Sequence, residues 1–355
     1  MVKCTLVWNT MELRRIPRLQ RLACWQVLVN DAAIEEPWLA EHGVAFWVQV
    51  AAGAQQYRLL FDTGQTPQVL AHNARALKAD WAALDSVVIS HGHSDHTGGL
   101  LEALRSCGRR IPVLLHPDAL LPKLKKTPVL REIGIPHRQA HLEEAGSLLV
   151  TRESIPLTSC VRTSGEIPRK NSFERPEEFQ TLRDGRMEQD DLCDDQAIFI
   201  HLPDAGLVVL TGCAHAGIVN TVRFGLELTG ATRLYAVFGG FHLIRATPDR
   251  IQKTIEALRA LEPDLLVPPD RPIASSQHGP AHTAAIPHSF FAPPCHAGPF
   301  HPTVRLSRFD FALYKPAGTS DASQITSVRS PRCGSPSRYS TVAFRRSWIP
   351  PPISY

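Results

Sequence analysis

Between residues 22 and 267 short apolar runs alternate with helix-like stripes, separated by compact turns. The runs Trp25–Val29, Val44–Val50, Tyr57–Phe61, Ser86–Ser90, Pro112–Leu115, Ala197–His201, Gly206–Thr211 and Arg233–Phe238 are rich in Val, Ile and Leu. Gly, Asp or Pro bound them, which predicts β-strands. Helices are expected at Leu100–Arg105 and Ile218–Leu228. A third begins at Thr247, with Thr as cap, Pro248 in the first turn, and Ile251, Ile255, Leu258 and Leu261 on one stripe. Strands with helices returning between them predict sheets covered by helices on their outer faces.

The flanks have a different character. Residues 1–21 form an Arg-rich extension in which Glu12, Arg14, Arg15, Arg18 and Arg21 interrupt the apolar residues. That spacing suggests a short exposed helix and excludes a signal-peptide core. Residues 121–195 are polar and weakly patterned, with a basic cluster at Lys123, Lys125 and Lys126. This segment reads equally as an active-site flap or a solvated surface excursion. Residues 268–355 hold 15 of the 29 prolines and 13 serines, with no sustained period.

Charge separates the same regions. The net +4 of the 355 residues belongs to the tail, where nine Lys and Arg face three Asp and no Glu. The first 267 residues carry 29 bases against 31 acids, which gives no footprint for nucleic acid. No uninterrupted apolar stretch is long enough to span a membrane. Eight cysteines are scattered without paired spacing, so a reducing cytoplasm is the expected compartment. Neither nucleic acid nor a membrane is an expected partner. Oligomeric state has no signature here.

The strongest chemical signal is His91-Gly92-His93-Ser94-Asp95-His96, directly after the apolar run Ser86–Ser90. Neutral imidazole nitrogens and an anionic carboxylate suit zinc or a similar divalent ion. A turn after a strand points alternate residues into one cavity, so His91 and His93 can share one ion while Asp95 and His96 reach a second.

The hexad resembles the His-x-His-x-Asp-His signature of the metallo-β-lactamase superfamily. Further segments, in order, resemble one branch of it: Glu41-His42-Gly43, Phe61-Asp62-Thr63-Gly64-Gln65, the run from Thr163 to Arg169, Asp194-Asp195-Gln196-Ala197, the run from Thr211 to Asn220, and Gly239-Gly240-Phe241-His242-Leu243. That branch includes proteins like 7,8-dihydropterin-6-methyl-4-(β-D-ribofuranosyl)aminobenzene-5′-phosphate synthase. The resemblance implies an α/β fold, an αββα sandwich, over residues 22–267. It implies two divalent ions, zinc first, with manganese or iron as alternatives. His91, His93 and His215 would hold one, Asp95 and His96 the other, with Asp95 also catalytic. Asp62 would orient the His turn. Cys213, His242 and Arg169 are candidates for lining the site or contacting substrate.

The resemblance breaks after Val267. Members of the branch continue there with a His-Cys-Thr turn that completes the second metal site, whereas this chain reads Pro268-Pro269-Asp270-Arg271-Pro272. His278 and His282 lack strand-end placement. A shifted reading frame accounts for both the lost turn and the change in composition. A Pro/Ser-rich tail acquired by this chain is the competing account. The implied activity is a metal-dependent hydrolase that attacks a small, phosphorylated molecule through a metal-bound hydroxide. A dihydropterin methyl diphosphate-dependent transferase and a non-catalytic remnant are the alternatives.

Overall fold

The computed structural model describes residues 7–8, 11–12, 23–29, 37–52, 55–126, 128–175 and 178–267. All belong to the compact unit Met1–Phe311. The Pro/Ser-rich tail, including His278 and His282, lies outside the described residues. In the Arg-rich lead the described residues form a short ladder where a helix was suggested: Val7–Trp8 (β1) pairs antiparallel with Met11–Glu12 (β2). Val and Trp favour extended backbone, and Arg14, Arg15, Arg18 and Arg21 lie outside the described residues.

In the first half the strands are β3 (Ala23–Val29), β4 (Ala45–Ala52), β5 (Gln55–Phe61), β6 (Ser86–Val88), β7 (Pro112–Leu115), β8 (Lys123–Lys125), β9 (Arg131–Glu132) and β10 (Ser147–Val150). Its helices are α1 (Pro67–Leu77), α2 (Ser94–Thr97), α3 (Leu100–Ser106) and α4 (Gln139–Ala145). The second half carries β11 (Val161–Thr163), β12 (Phe179–Arg183), β13 (Arg186–Asp190), β14 (Ala197–Leu202), β15 (Gly206–Thr211), β16 (Leu234–Phe238) and β17 (Leu265–Val267). Helices α5 (Ile218–Thr229) and α6 (Pro248–Arg259) complete it.

One sheet has the order β10-β7-β6-β5-β4-β3 and the other β11-β14-β15-β16-β17. Both are buried on two faces, and strand alternation assigns the faces. Phe46, Val48, Val50, Leu59 and Phe61 of the first sheet meet Ile198, Ile200, Val208, Leu210 and Phe238 of the second in one core. The residues between them point outward. Ala45, Trp47 and Leu60 pack with Leu70 of α1, Leu100 and Leu104 of α3, and Leu142 of α4. Phe199, Leu207 and Val209 pack with Val219 and Val222 of α5 and Leu258 of α6. Helix, sheet, sheet, helix is the result, and it matches the layer order expected from the sequence.

The connections place the chemistry. β5, β6 and β7 run parallel, as do β15, β16 and β17. Parallel strands deliver their C-terminal turns to one edge, where ligands of α/β sheets bind. The polar segment 121–195 folds into a four-stranded sheet, β13-β12-β8-β9, flanked by α4, β10 and β11. Among the described residues, no helix is long and apolar enough to cross a membrane.

Candidate metal centre

Asp62 directly follows β5 with φ of 59°, a left-handed conformation that Asp tolerates better than most residues. Its carboxylate accepts from the Ser90 backbone N–H at 2.7 Å through Oδ1, and from Ser90 Oγ at 2.7 Å through Oδ2. His96 Nδ1 donates to the same Oδ2 at 2.7 Å. Ser90 Oγ also lies 2.9 Å from His91 Nδ1. Since Ser90 spends its proton on Asp62, His91 Nδ1–H is the donor to Ser90. Asp62 therefore sets the tautomers of both His91 and His96, leaving each Nε2 with its lone pair.

The second half brings its own turn. Gly212 follows β15, and a Cβ there would overlap Ser90 Oγ and come within 2.9 Å of Asp62 Oδ2. Only glycine lets the two sheets' turns meet. Cys213 Sγ then sits 3.0 Å from His96 Nε2. The His215 ring centroid is 4.7 Å from that of His91 and 5.1 Å from that of His93. His91 Nε2 lies 3.0 Å from His93 Nδ1. Among the described residues, two sets of potential ligand atoms lie within 4.8 Å of one another: His91, His93 and His215, and His91, His96 and Cys213.

Electrostatics sort these groups. Burial, with the neighbouring imidazoles adding to it, pushes His91 and His215 far below the usual histidine range. Burial brings His93 down to about 4. All three are neutral donors at physiological pH, as coordination requires. At His96 burial pushes down, but Cys213, Asp95 and Asp62 outweigh it and the net shift is up. The surroundings of His96 thus favour a positive charge, whether proton or cation. His93 Nε2 and His215 Nε2 are buried without a hydrogen-bond partner. Buried polar atoms are seldom left so. Donor set, neutrality and orphaned nitrogens all fit a divalent ion.

Asp95 Oδ2 lies 3.6 Å from His96 Nε2 and 3.3 Å from His42 Nε2, at the more open side of the cluster. Burial raises its pKa, but His96, His93 and His42 outweigh this and hold the carboxyl ionised. Asp95 is absent from both compact ligand sets and borders the one that holds Cys213. His242, with φ of 46°, places its ring 4.2 Å from that of His215. Arg169 turns to the backbone: it donates to the His215 carbonyl at 2.7 Å, and to those of Asp191 and Leu192. His116 directly follows β7, where its Nδ1 accepts from Asp118 N at 3.1 Å.

Other contributors gave little sign in the sequence. Asp194 Oδ2 accepts the Gly92 N–H at 2.8 Å, and Phe179 lays its ring 5.0 Å from His93 and 5.7 Å from His215. The doubled acid Asp194-Asp195 before an apolar strand was the available signal for the first. Nothing marked Phe179.

The model of the beta-lactamase superfamily domain matches residues 57–175. The chain is 30% identical over 256 residues to 7,8-dihydropterin-6-methyl-4-(beta-D-ribofuranosyl)-aminobenzene-5′-phosphate synthase of Methanocaldococcus jannaschii, covering 70% of this chain and 87% of that protein. It is 29% identical to an uncharacterized protein of the same organism, covering 66% of this chain and 85% of the other. Among solved structures, Tm1679, described as a metal-dependent hydrolase of the beta-lactamase superfamily, superposes with a TM-score of 0.59 at 29% identity. That match covers 70% of this chain and 87% of the other. The chain therefore belongs to the metallo-β-lactamase superfamily, in the branch that includes the dihydropterin synthase.

Proposed function

We propose that this protein is a metal-dependent hydrolase acting on a small phosphorylated molecule. The observation that carries the reading is the cluster of three buried, neutral imidazoles, His91, His93 and His215, beside the compact set of His91, His96 and Cys213, which the ionised Asp95 borders. The first set would hold one divalent ion and the second set another, zinc being the metal best matched to nitrogen and sulfur donors. When bound, such an ion supplies Lewis acidity, polarising a substrate oxygen and acidifying water.

The chain's own residues do the rest. Asp62, through Ser90 and His96, holds the imidazoles in the tautomer that presents Nε2. Asp95, kept ionised, accepts a hydrogen bond at Oδ2 from the attacking water and orients it. Phe179 excludes bulk water from the His93–His215 side. The mildly acidic body of the chain favours a small-molecule partner over nucleic acid, and the cytoplasm is the proposed location.

A second reading is a transferase in which an aromatic amine takes the place of water. The 30% identity to a protein named as a synthase favours it. Product analysis separates the two. Purified protein loaded with Zn²⁺ is offered a phosphodiester and, separately, a dihydropterin methyl diphosphate with and without an aminobenzene acceptor. Hydrolysis that is independent of the acceptor supports the hydrolase, and acceptor-dependent release of diphosphate supports the transferase. Metal content near zero after loading refutes both.

A further inference from the structure

Lys123 is a buried lysine with no part in the chemistry above. Its side chain is 1% exposed, and its Nζ pairs with Asp194 Oδ1 at 2.7 Å and Asp190 Oδ2 at 2.9 Å. Desolvation disfavours its charge, yet the two carboxylates outweigh that and keep it an ammonium. An apolar side chain of similar volume would usually serve stability as well as a buried ion pair does. The ion pair therefore calls for another explanation, and Asp194 supplies one.

Asp194 is itself buried, and its second oxygen accepts the N–H of Gly92, the residue between His91 and His93. A Cβ on Gly92 would overlap the Ala119 carbonyl, so the turn is confined on its opposite side. Two residues on, the turn is tied back to the strand that carries Lys123. Ser94 N donates to the Ile133 carbonyl at 2.8 Å, and Ile133 N donates to the Lys123 carbonyl at 2.8 Å. Asp190 shares the ammonium but spends its other oxygen locally, on Leu192 N at 2.9 Å.

We infer that Lys123 and Asp194 are positioning residues of the metal centre. The ammonium fixes the Asp194 carboxylate, the carboxylate fixes the Gly92 amide, and the amide sets the spacing of the His91 and His93 rings. The inference rests on reading His91, His93 and His215 as a cation site. It gives the four-stranded sheet a role: β8 carries the charge that holds the ligand turn.

Asp190 provides the internal control. Co²⁺ is titrated into the metal-stripped full chain, and the visible d–d absorption and competition with a chromophoric chelator give the affinity. Asp194→Asn is expected to weaken binding by about 10- to 100-fold, as losing a partner that orients a ligand does, and to alter the Co²⁺ spectrum. Lys123→Met is expected to do the same. Asp190→Asn, which breaks the same buried network without touching the turn, is expected to lower the melting temperature and leave affinity and spectrum unchanged. Should Asp194→Asn fold poorly, Asp194→Glu, with the charge kept but the reach lengthened, is expected to show the weakened binding. Unchanged affinity in the Asp194 variants, or equal losses in the Asp190 and Asp194 variants, overturns the inference alone. A wild-type chain that takes up no Co²⁺ overturns it together with the metal reading.

Discussion

Asp195 shows how much of this site is set by single carboxylates. Its Oδ2 accepts the Ala216 N–H at 2.8 Å, and its Oδ1 is buried without a partner. Burial, with the nearby Asp194 charge adding to it, pushes the carboxyl up to about 7 against the pull of Ala216 N–H and Arg169. A folded-state value above the unfolded value of about 3.9 contributes stability that is present below that lower value. That stability is lost as pH rises through about 7. Asp195→Asn removes the effect. In chelator-treated protein the variant is expected to melt near the wild type at pH 4 and a few degrees above it at pH 8. Thermal melts across that range check this, and an offset independent of pH would contradict it. Arg169 carries a related lesson. A lone arginine on a polar loop reads as solvated or as a grip for substrate. Its actual target, the backbone carbonyl of His215, has no signature in side-chain order.

Elements were legible where their signals are local. The start of α6 follows from Thr247 and Pro248, and the Thr247 side chain does accept from Arg250 N at 3.2 Å. The buried strands β7 and β15 begin and end where their apolar runs do. Helix α1 carries the same local signal, with Thr66 as cap, Pro67 in the first turn, and Leu70, Ala74 and Leu77 on one stripe, yet it is not among the elements expected from the sequence. The four-stranded sheet was missed because its strands are polar on the open face, and Lys123, its most buried side chain, reads as surface charge. The turn His91–His96 stands out in the sequence as a motif, whereas the residues that hold it come from distant segments. Helix α5 illustrates the same limit. Its first turn is satisfied by Glu174, a buried carboxylate that accepts from Val219 N at 2.8 Å and Asn220 N at 2.9 Å. Glu174→Ala strands those amides and is expected to cost about 1.5–3 kcal/mol, read as a lower denaturant midpoint with an unchanged slope.

At the scale of the whole molecule, the two sheets are held by one apolar core between them. Phe46 lies in that core 2% exposed, its ring 6.2 Å from that of Phe61. Phe46→Ala is expected to cost about 3–5 kcal/mol, and its urea midpoint should fall much further than that of a surface control. The Gly212 approach ties the same two sheets at the edge that carries the histidine cluster. An alanine there is expected to abolish Co²⁺ uptake, while far-UV circular dichroism stays close to that of the wild type.

His93 and His215 arrive from opposite halves of the sandwich, yet their rings sit 5.1 Å apart. Any ion they share is also a rivet between halves. At a free concentration a hundred times its dissociation constant it would add about 2.7 kcal/mol to the folded state. Withholding it would then soften the joint as well as silence the chemistry, so starvation for metal should show first as a protein that is easier to melt and to digest.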